Sequence, residues 1–266
     1  MTGPSAVEGV QVLSDLQALG GFSALVAAPE SGALPWAQVL ADDALTTRFA
    51  SVRAALAAST GMAIVDVDPR VAVSATQVGL ASRLWSPALA AAVLHGWVPD
   101  LSPDALVASP EHGGAVPLGV RDPEAGYAVS SLSEAAQVIG DLVVDGSLAT
   151  LNEACSRVGQ TADRVLISNA ASSLVGAARV LAQQHPGRAA AAWALARELL
   201  GHPRLAQGGS VRAPDGLPAG IGGVMADPHE LFVRSGCCLF YRLPEHGLCP
   251  DCVLALRAPE QVTPGH

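Results

Sequence analysis

The sequence contains no lysine, and all 15 of its basic residues are arginine. A P-loop needs a lysine that reaches the nucleotide phosphates, so this class of nucleotide-binding site is excluded. A dinucleotide-binding Gly-x-Gly-x-x-Gly motif is also missing after the strand-like runs, because Gly220-Ile-Gly-Gly is too short for that pattern. Neither common nucleotide-binding motif is therefore present.

Positive charge and long apolar runs are both scarce. The net charge is −9 and the isoelectric point is about 5.1. This acidity argues against nonspecific binding to nucleic acid or to an anionic membrane, because both need a basic surface. Charged residues and prolines interrupt every apolar run before the roughly 18 to 20 residues that span a bilayer, so we expect no transmembrane helix. The first residues lack the basic and apolar regions of a secretory signal, which predicts a cytoplasmic protein.

Aromatic residues make up only 4% of the chain, whereas hydrophobic residues make up 50%. Together with a high alanine content, this favours closely packed helices over an aromatic-rich β-sandwich. The apolar periodicity predicts helices over seven stretches: 7–19, 35–61, 71–85, 132–145, 147–158, 161–184 and 187–200. An eighth helix is expected to begin at Ser86-Pro87, because serine suits an N-cap and proline the first helical position.

Residues 101–130 differ from the rest, because prolines, glycines and short apolar runs replace the helical period. They predict a small antiparallel β lobe. A Gly- and Pro-rich loop then connects residue 201 to residue 223. The predicted fold class is α+β, with a predominantly α-helical body over residues 1–223 and a separate C-terminal segment over residues 224–266.

Four of the five cysteines lie in that C-terminal segment: Cys237, Cys238, Cys249 and Cys252, with the spacing C-C-x10-C-x2-C. Leu239-Phe240-Tyr241 is predicted to be a strand, and a turn at Pro244-Glu-His-Gly247 would bring the second pair back beside the first. Structural zinc, disulfides and an iron–sulfur cluster all remain possible from this spacing. Adjacent cysteines depart from the usual zinc knuckles, and a reducing cytosol disfavours disulfides.

The segment Arg-x-x-Cys-Cys-Leu-x-Tyr-Arg-Leu-Pro, followed by Cys-x-Asp-Cys, resembles the C-terminal signature of the FhuF-like ferric siderophore reductases. Ser82-Arg-Leu-Trp-Ser-Pro-Ala-Leu-Ala and Leu166-Ile-Ser-Asn-Ala-Ala-Ser-Ser-Leu are similar to two further segments of that family. The resemblance implies that the four cysteines bind a [2Fe–2S] cluster in a C-terminal hairpin. It also implies an oxidoreductase that reduces siderophore-bound Fe(III), with a ferric siderophore as substrate and an external electron donor such as a ferredoxin.

The alternative is a non-enzymatic iron–sulfur or zinc module that senses redox state or holds the C-terminal end together. Arg234 and Arg242 flank the first cysteine pair and are candidates for contact with the substrate or the electron donor, although both could be solvated surface charges. We expect His246 to belong to the turn and Cys155 to be a buried thiol. Arg83 and Trp97 are possible ligand contacts, although packing is the more common role for such residues. Asn169 could cap a helix, bridge two helices or contact a ligand, and the sequence does not choose among these roles.

Overall fold

The computed structural model describes residues 9–27, 32–109, 116–213, 215, 223–224 and 230–256, and it is predominantly α-helical. In the described residues the helices are α1 (Gly9–Leu19), α2 (Trp36–Val39), α3 (Asp42–Thr60), α4 (Pro69–His95), α5 (Leu132–Ile139), α6 (Leu148–Gly159), α7 (Asp163–Gln184) and α8 (Ala189–Leu200). The strands are β1 (Val26–Ala27), β2 (Leu34–Pro35), β3 (Trp97–Pro99), β4 (Leu106–Ala108), β5 (Leu118–Val120), β6 (Gly126–Ala128), β7 (Gly209–Arg212), β8 (Gly223–Val224) and β9 (Leu231–Arg234). The α+β fold class is confirmed.

Helix α4 is one continuous helix, and the expected boundary at Ser86-Pro87 is wrong. Pro87 lies inside the helix, where its missing N–H leaves the carbonyl of Arg83 without its helical partner. An interior proline costs about 3 kcal/mol in an isolated helix. Most of α4 is buried, including Trp85 and the alanines that follow Pro87. Packing on several sides therefore favours one helix over the break that the local sequence indicates.

The second predicted helix is divided instead. Pro35 precedes the short helix α2, and Ala41 is the N-cap residue of the longer helix α3. Gly61 ends α3 in the left-handed region, with φ of 68°, as expected for a C-terminal glycine. Helices α5 and α6 are joined by a π-helical segment, Gly140–Ser147, so the two predicted helices form one run. The first helix is confirmed from Gly9, and its predicted start at Val7 lies outside the described residues.

Helices α4 and α7 form the centre of the molecule. The Trp85 indole donates to the Ala170 carbonyl at 3.0 Å, which fixes the two helices against each other. The Gln77 amide donates to the Leu166 carbonyl at 3.1 Å and to Asn152 Oδ1 at 2.8 Å, so α6 is tied to the same pair. Small side chains such as Ala81, Ala170 and Ala171 are fully buried. The alanine-rich composition thus permits the close helix packing that it predicts.

Helix α7 is long and apolar enough to cross a membrane by length and composition alone. Of its most apolar window, 56% is buried inside the molecule. This burial is the pattern of a core helix, and the polar side chains of Ser168, Asn169 and Ser172 on α7 contact the C-terminal segment.

The β lobe is built from more of the chain than residues 101–130. Strands β4, β5 and β6 lie in that range, but β1 and β2 join β4 and β5 in one sheet, and β3 pairs with β6. One pairing, β1 with β5, is parallel, and the others are antiparallel. Loop carbonyls near this sheet meet the buried Arg83, which donates to Val116 O at 2.6 Å and to the carbonyls of Gly21, Phe22 and Ala24.

Strand β9 leads into the cysteines and is the central strand of a third small sheet, with the order β7-β9-β8. Strand β7 lies in the stretch that the sequence predicts to be a loop, and it joins the helical body to the C-terminal segment. Strands from both sides of the predicted division between residues 223 and 224 pair in this one sheet. The division into two units itself stays a prediction.

Candidate metal centre

The loop after β9 lies directly on helix α7. The Gly236 N–H donates to Ser168 Oγ at 3.0 Å, and Ser168 Oγ in turn donates to Gly208 O at 2.7 Å. A Cβ at Gly236 would lie 2.5 Å from the Arg164 carbonyl oxygen of α7, which is closer than any real contact. Glycine is therefore required by contact with the helix.

We expect Gly236→Ala to lower both the thermal stability of the protein and the iron content of the purified chain. The methyl group must displace the loop from α7, and the first cysteine pair moves with it. Thermal unfolding and iron analysis measure the two effects. Gly176→Ala, in helix α7 itself, is the matched control, since its added Cβ meets no atom within 4 Å. If the two variants had equal iron content and equal stability, the contact of the Gly236 loop with α7 would be unimportant for the cluster.

After the first cysteine pair the chain turns sharply and does not continue as a strand, so the predicted strand at Leu239-Phe240-Tyr241 is wrong. Leu239 has a left-handed φ of 71°, and a 3-10 turn, Phe240–Arg242, follows. Leu243 is buried with Val67 and Val71 at the start of α4. This apolar contact favours a turn over a strand. The predicted turn at 244–247 is present, with left-handed φ values at Glu245 and Gly247.

The turn brings the four thiols of the C-terminal segment together. The sulfurs of Cys238 and Cys249 are 3.0 Å apart, and neither residue is in a disulfide. Cys237 hydrogen-bonds to Cys238 on one side and to Cys252 on the other. Cys238 and Cys252 are buried, whereas Cys237 and Cys249 are half-buried. The thiols thus form a row in the order Cys252, Cys237, Cys238 and Cys249.

Charge is shared unevenly along this row. Hydrogen bonds from Cys237 and Cys249, and then the charge of Arg234, lower the pKa of Cys238. A hydrogen bond from Cys237 lowers the pKa of Cys252. The pKa values of Cys237 and Cys249 are raised, chiefly by the hydrogen bonds that each shares with the neighbouring sulfur of Cys238. The charge of Arg234 and the hydrogen bonds along the row favour negative charge on its sulfurs, and a thiolate is the form of cysteine that binds metal.

Backbone amides add to this preference. The Leu239 N–H donates to Cys237 Sγ at 3.3 Å. The Phe240 N–H points to Cys238, and the amides of Leu254 and Ala255 point to Cys252. Such N–H groups stabilise negative charge on sulfur, and hydrogen bonds to the sulfurs are one means by which proteins adjust an iron–sulfur centre.

Arg234 lies beneath the thiols and is 5% exposed. Its guanidinium donates to Asn169 Oδ1, and Asn169 Nδ2 donates to Ser74 Oγ of α4 at 2.9 Å. Arg234 Nε and Asp251 Oδ2 are 3.8 Å apart, which is an ion pair without a hydrogen bond. Ser172 Oγ donates to the same carboxylate oxygen at 2.6 Å. Arg234 thus connects the cysteine segment to both central helices, and Asn169 bridges those helices.

Arg242 lies elsewhere. Its guanidinium contacts Asp68, the N-cap residue of α4, and Asp68 also pairs with Arg70 at 2.9 Å. This ion pair holds the 3-10 turn against the helical body and keeps Arg242 away from the cavity at the sulfurs. A role for Arg242 in contact with an external electron donor stays a prediction.

The other candidates have packing roles or positions that the sequence left open. Cys155 is fully buried in α6, and burial raises its pKa to about 12. Arg83 is buried under backbone carbonyls, and Trp97 is buried in β3 against Gly126. His246 is exposed in the turn, and its ring lies 5.1 Å from that of Phe240.

A cavity of about 320 Å³ opens beside the row of thiols. Its walls come from α4, α7 and the C-terminal segment, and Cys238 and Cys249 lie in them. Arg179, Ser173 and Arg234 supply polar groups to the same cavity, and Phe240 and His246 supply aromatic surface. The cavity therefore gives a small molecule access to the sulfur row.

Sequence reasoning missed Arg179 and Ser173. Both lie on α7, and Arg179 follows Ser172 by seven residues, which is two helical turns and so the same face. That spacing within the stretch beginning Leu166-Ile-Ser-Asn could have pointed to Arg179. The sequence alone did not show that this face of α7 meets the cysteines.

The donor set fits an iron–sulfur cluster. The four thiols contact one another in a row, and a [2Fe–2S] cluster takes four protein ligands, two at each of its two irons. The buried cation of Arg234 suits an anionic thiolate cluster. Cys237, Cys238, Cys249 and Cys252 are thus the residues that would hold it.

Comparison with known proteins agrees with this fit. The family model of the FhuF 2Fe-2S C-terminal domain matches residues 234–254, a segment that begins at Arg234 and includes all four cysteines. No curated protein matches the chain. The resemblance at the cysteine motif is confirmed, and the cofactor of this segment is a [2Fe–2S] cluster. The chain is an iron–sulfur protein that resembles the ferric siderophore reductases.

Proposed function

We propose that the protein is a cytoplasmic ferric siderophore reductase, which converts siderophore-bound Fe(III) to Fe(II) and so releases the iron. The cavity at Cys238 and Cys249 carries this proposal, because it lets a bound chelate approach the sulfurs directly. A purely structural metal site has no need of such an opening. When bound, a [2Fe–2S] cluster supplies electrons one at a time.

The chemistry of a ferric siderophore suits a donor that supplies one electron at a time. A siderophore holds Fe(III) through hard oxygen donors, whose attraction depends on the charge and small radius of the ion. One electron added to Fe(III) gives Fe(II), which these donors hold less well, so reduction releases the metal. An external one-electron donor such as a ferredoxin supplies each electron in turn, and the reaction forms or breaks no bond to carbon.

The residues that line the cavity position the cysteines and influence the charge on their sulfurs. Ser172 and Arg234 hold Asp251, which keeps the second cysteine pair against α7. The rings of Phe240 and the exposed His246 lie 5.1 Å apart and line the cavity beside the sulfurs. Arg234 is buried, and the low dielectric constant of its surroundings strengthens its effect on the charge of the sulfurs.

We expect the chemically reduced protein to transfer about one electron per cluster to a ferric siderophore. The test mixes anaerobically reduced protein with the ferric complex and a colour-forming Fe(II) chelator, and it follows cluster reoxidation and Fe(II) together. The matched control is the same complex with oxidised protein, which should form no Fe(II).

If no ferric siderophore reoxidises the reduced cluster at a rate above that of buffer, the reductase proposal is wrong. A non-enzymatic role would then account for the cluster. The contacts of Arg242 with Asp68 and of Gly236 with Ser168 join the segment to the helical body, and through them a redox sensor or structural staple could act.

A further inference from the structure

We propose that Arg179 forms an anion-binding subsite in the cavity, so that the protein selects ferric chelates of net negative charge over neutral ones. This proposal rests on the proposed function and specifies its substrate class. Arg179 lies on α7, and it lines the same cavity as Cys238 and Cys249. It is therefore placed to contact a ligand that lies against the sulfurs.

The pairing of the charged side chains in the cavity leaves one cation available to an anion. Two guanidinium groups, those of Arg179 and Arg234, line it, with the carboxylate of Asp251 as the only acidic side chain among its lining residues. Asp251 is already paired with Arg234 and accepts a hydrogen bond from Ser172. The ion pairs formed by the described residues do not include Arg179. Apart from the negative charge of the cluster and its thiolates, the lining side chains thus include one cation without an ion-pair partner, in a chain whose net charge is −9.

Hydrogen-bond donors point to the same conclusion. Arg179 Nε and Ser173 Oγ are buried, and neither has a hydrogen-bond partner within the described part of the chain. Buried donors without partners are costly, so a ligand oxygen that accepts from this side of the cavity gains the corresponding free energy. A guanidinium also binds oxyanions more strongly than it binds neutral acceptors.

The size of the cavity limits what it can hold. A volume of about 320 Å³ is at the small end of ligand pockets, which run from roughly 300 to 1,000 Å³. One edge of a metal chelate fits, and the rest of the ligand remains outside. The subsite therefore recognises anionic oxygen donors at the metal end of the chelate, such as catecholate or carboxylate groups, and leaves its outer parts free to vary.

Binding of gallium complexes tests the subsite separately from electron transfer. Ga(III) has the charge and nearly the size of Fe(III), but the reduced protein does not reduce it. The probes are a gallium tris-catecholate, which is anionic, and a gallium trihydroxamate, which is neutral. Titration calorimetry on the oxidised holoprotein compares the wild type with Arg179→Gln and with Arg188→Gln. The second variant removes the same charge from an exposed position outside the cavity.

We expect Arg179→Gln to weaken tris-catecholate binding by about tenfold or more, the loss of one charge-assisted hydrogen bond, and trihydroxamate binding by less than about twofold. Arg188→Gln should leave both affinities nearly unchanged, and Arg179→Lys should recover part of the tris-catecholate affinity. Unchanged cluster absorption in each variant shows that the fold is retained. Equal losses for the two probes, equal effects of the two glutamine variants, or no tris-catecholate binding by the wild type would overturn the proposal.

Failure of the subsite and failure of the proposed function are distinguishable. Arg179-dependent binding in a protein that never reduces a ferric chelate would support the subsite and contradict the reductase. Reduction of anionic chelates at the same rate, and with the same concentration dependence, in the wild type and in Arg179→Gln would contradict the subsite while the reductase stands.

Discussion

Serine in place of any one of Cys237, Cys238, Cys249 or Cys252 is expected to abolish the visible absorption of the cluster and to release its iron. A serine hydroxyl is a harder donor than a thiol, and it loses its proton far less readily. Each of the four sulfurs contacts at least one other in the row, so one substitution disturbs the neighbouring ligands as well. Absorption spectra and iron analysis of each purified variant measure the effect.

Cys155→Ser is the control, and it should keep the full spectrum. Cys155 is buried in α6, and burial raises its pKa to about 12, so it remains a neutral thiol. None of the cysteine contacts involves it. A bleached Cys155→Ser protein, together with a normally coloured variant at one of the other four positions, would show that the ligand assignment is wrong.

The second large effect is expected at Arg234. Arg234→Gln removes a buried cation beside Cys238 and weakens the link to Asn169. The reduced cluster carries more negative charge than the oxidised one, so loss of the cation destabilises the reduced form. We therefore expect a more negative reduction potential. The free energy of unfolding should fall by about 1.5–3 kcal/mol, the range for a hydrogen bond to a charged group.

Arg242→Gln is the matched control for Arg234→Gln. Arg242 is partly exposed, and its ion pair with Asp68 at the surface should contribute at most about 1 kcal/mol. Redox titration and denaturant unfolding of both variants measure the two quantities. If Arg242→Gln changed the reduction potential more than Arg234→Gln does, the assignment of the electrostatic role to Arg234 would be wrong.

Much of the helical body follows from local sequence, because its signals are local. The apolar period of α8 and the glycines that follow α1 and α3 mark those helices well. Pro87 shows the limit of this reasoning. Its local preference is to begin a helix, but burial of α4 on several sides outweighs that preference. Local signals do not report how much packing a segment will gain.

The candidate site likewise combines features that the local sequence predicts with features that only long-range packing produces. Its four cysteines are close in sequence, so their spacing alone indicates that they meet. Arg179 lies 59 positions before Cys238, and only the packing of α7 against the C-terminal segment brings the two to one cavity. Arg242 is near the cysteines in sequence but is drawn away by Asp68, which lies 174 positions before it. Contacts between residues that are distant in sequence determine which arginine lies near the sulfurs, and sequence periodicity does not predict those contacts.

The central claim is most directly tested by anaerobic purification followed by iron and sulfide analysis and electron paramagnetic resonance. We predict a red-brown protein with about two irons and about two sulfides per chain, without a paramagnetic signal until one electron has been added. A colourless protein that carries one zinc and no sulfide would contradict the account.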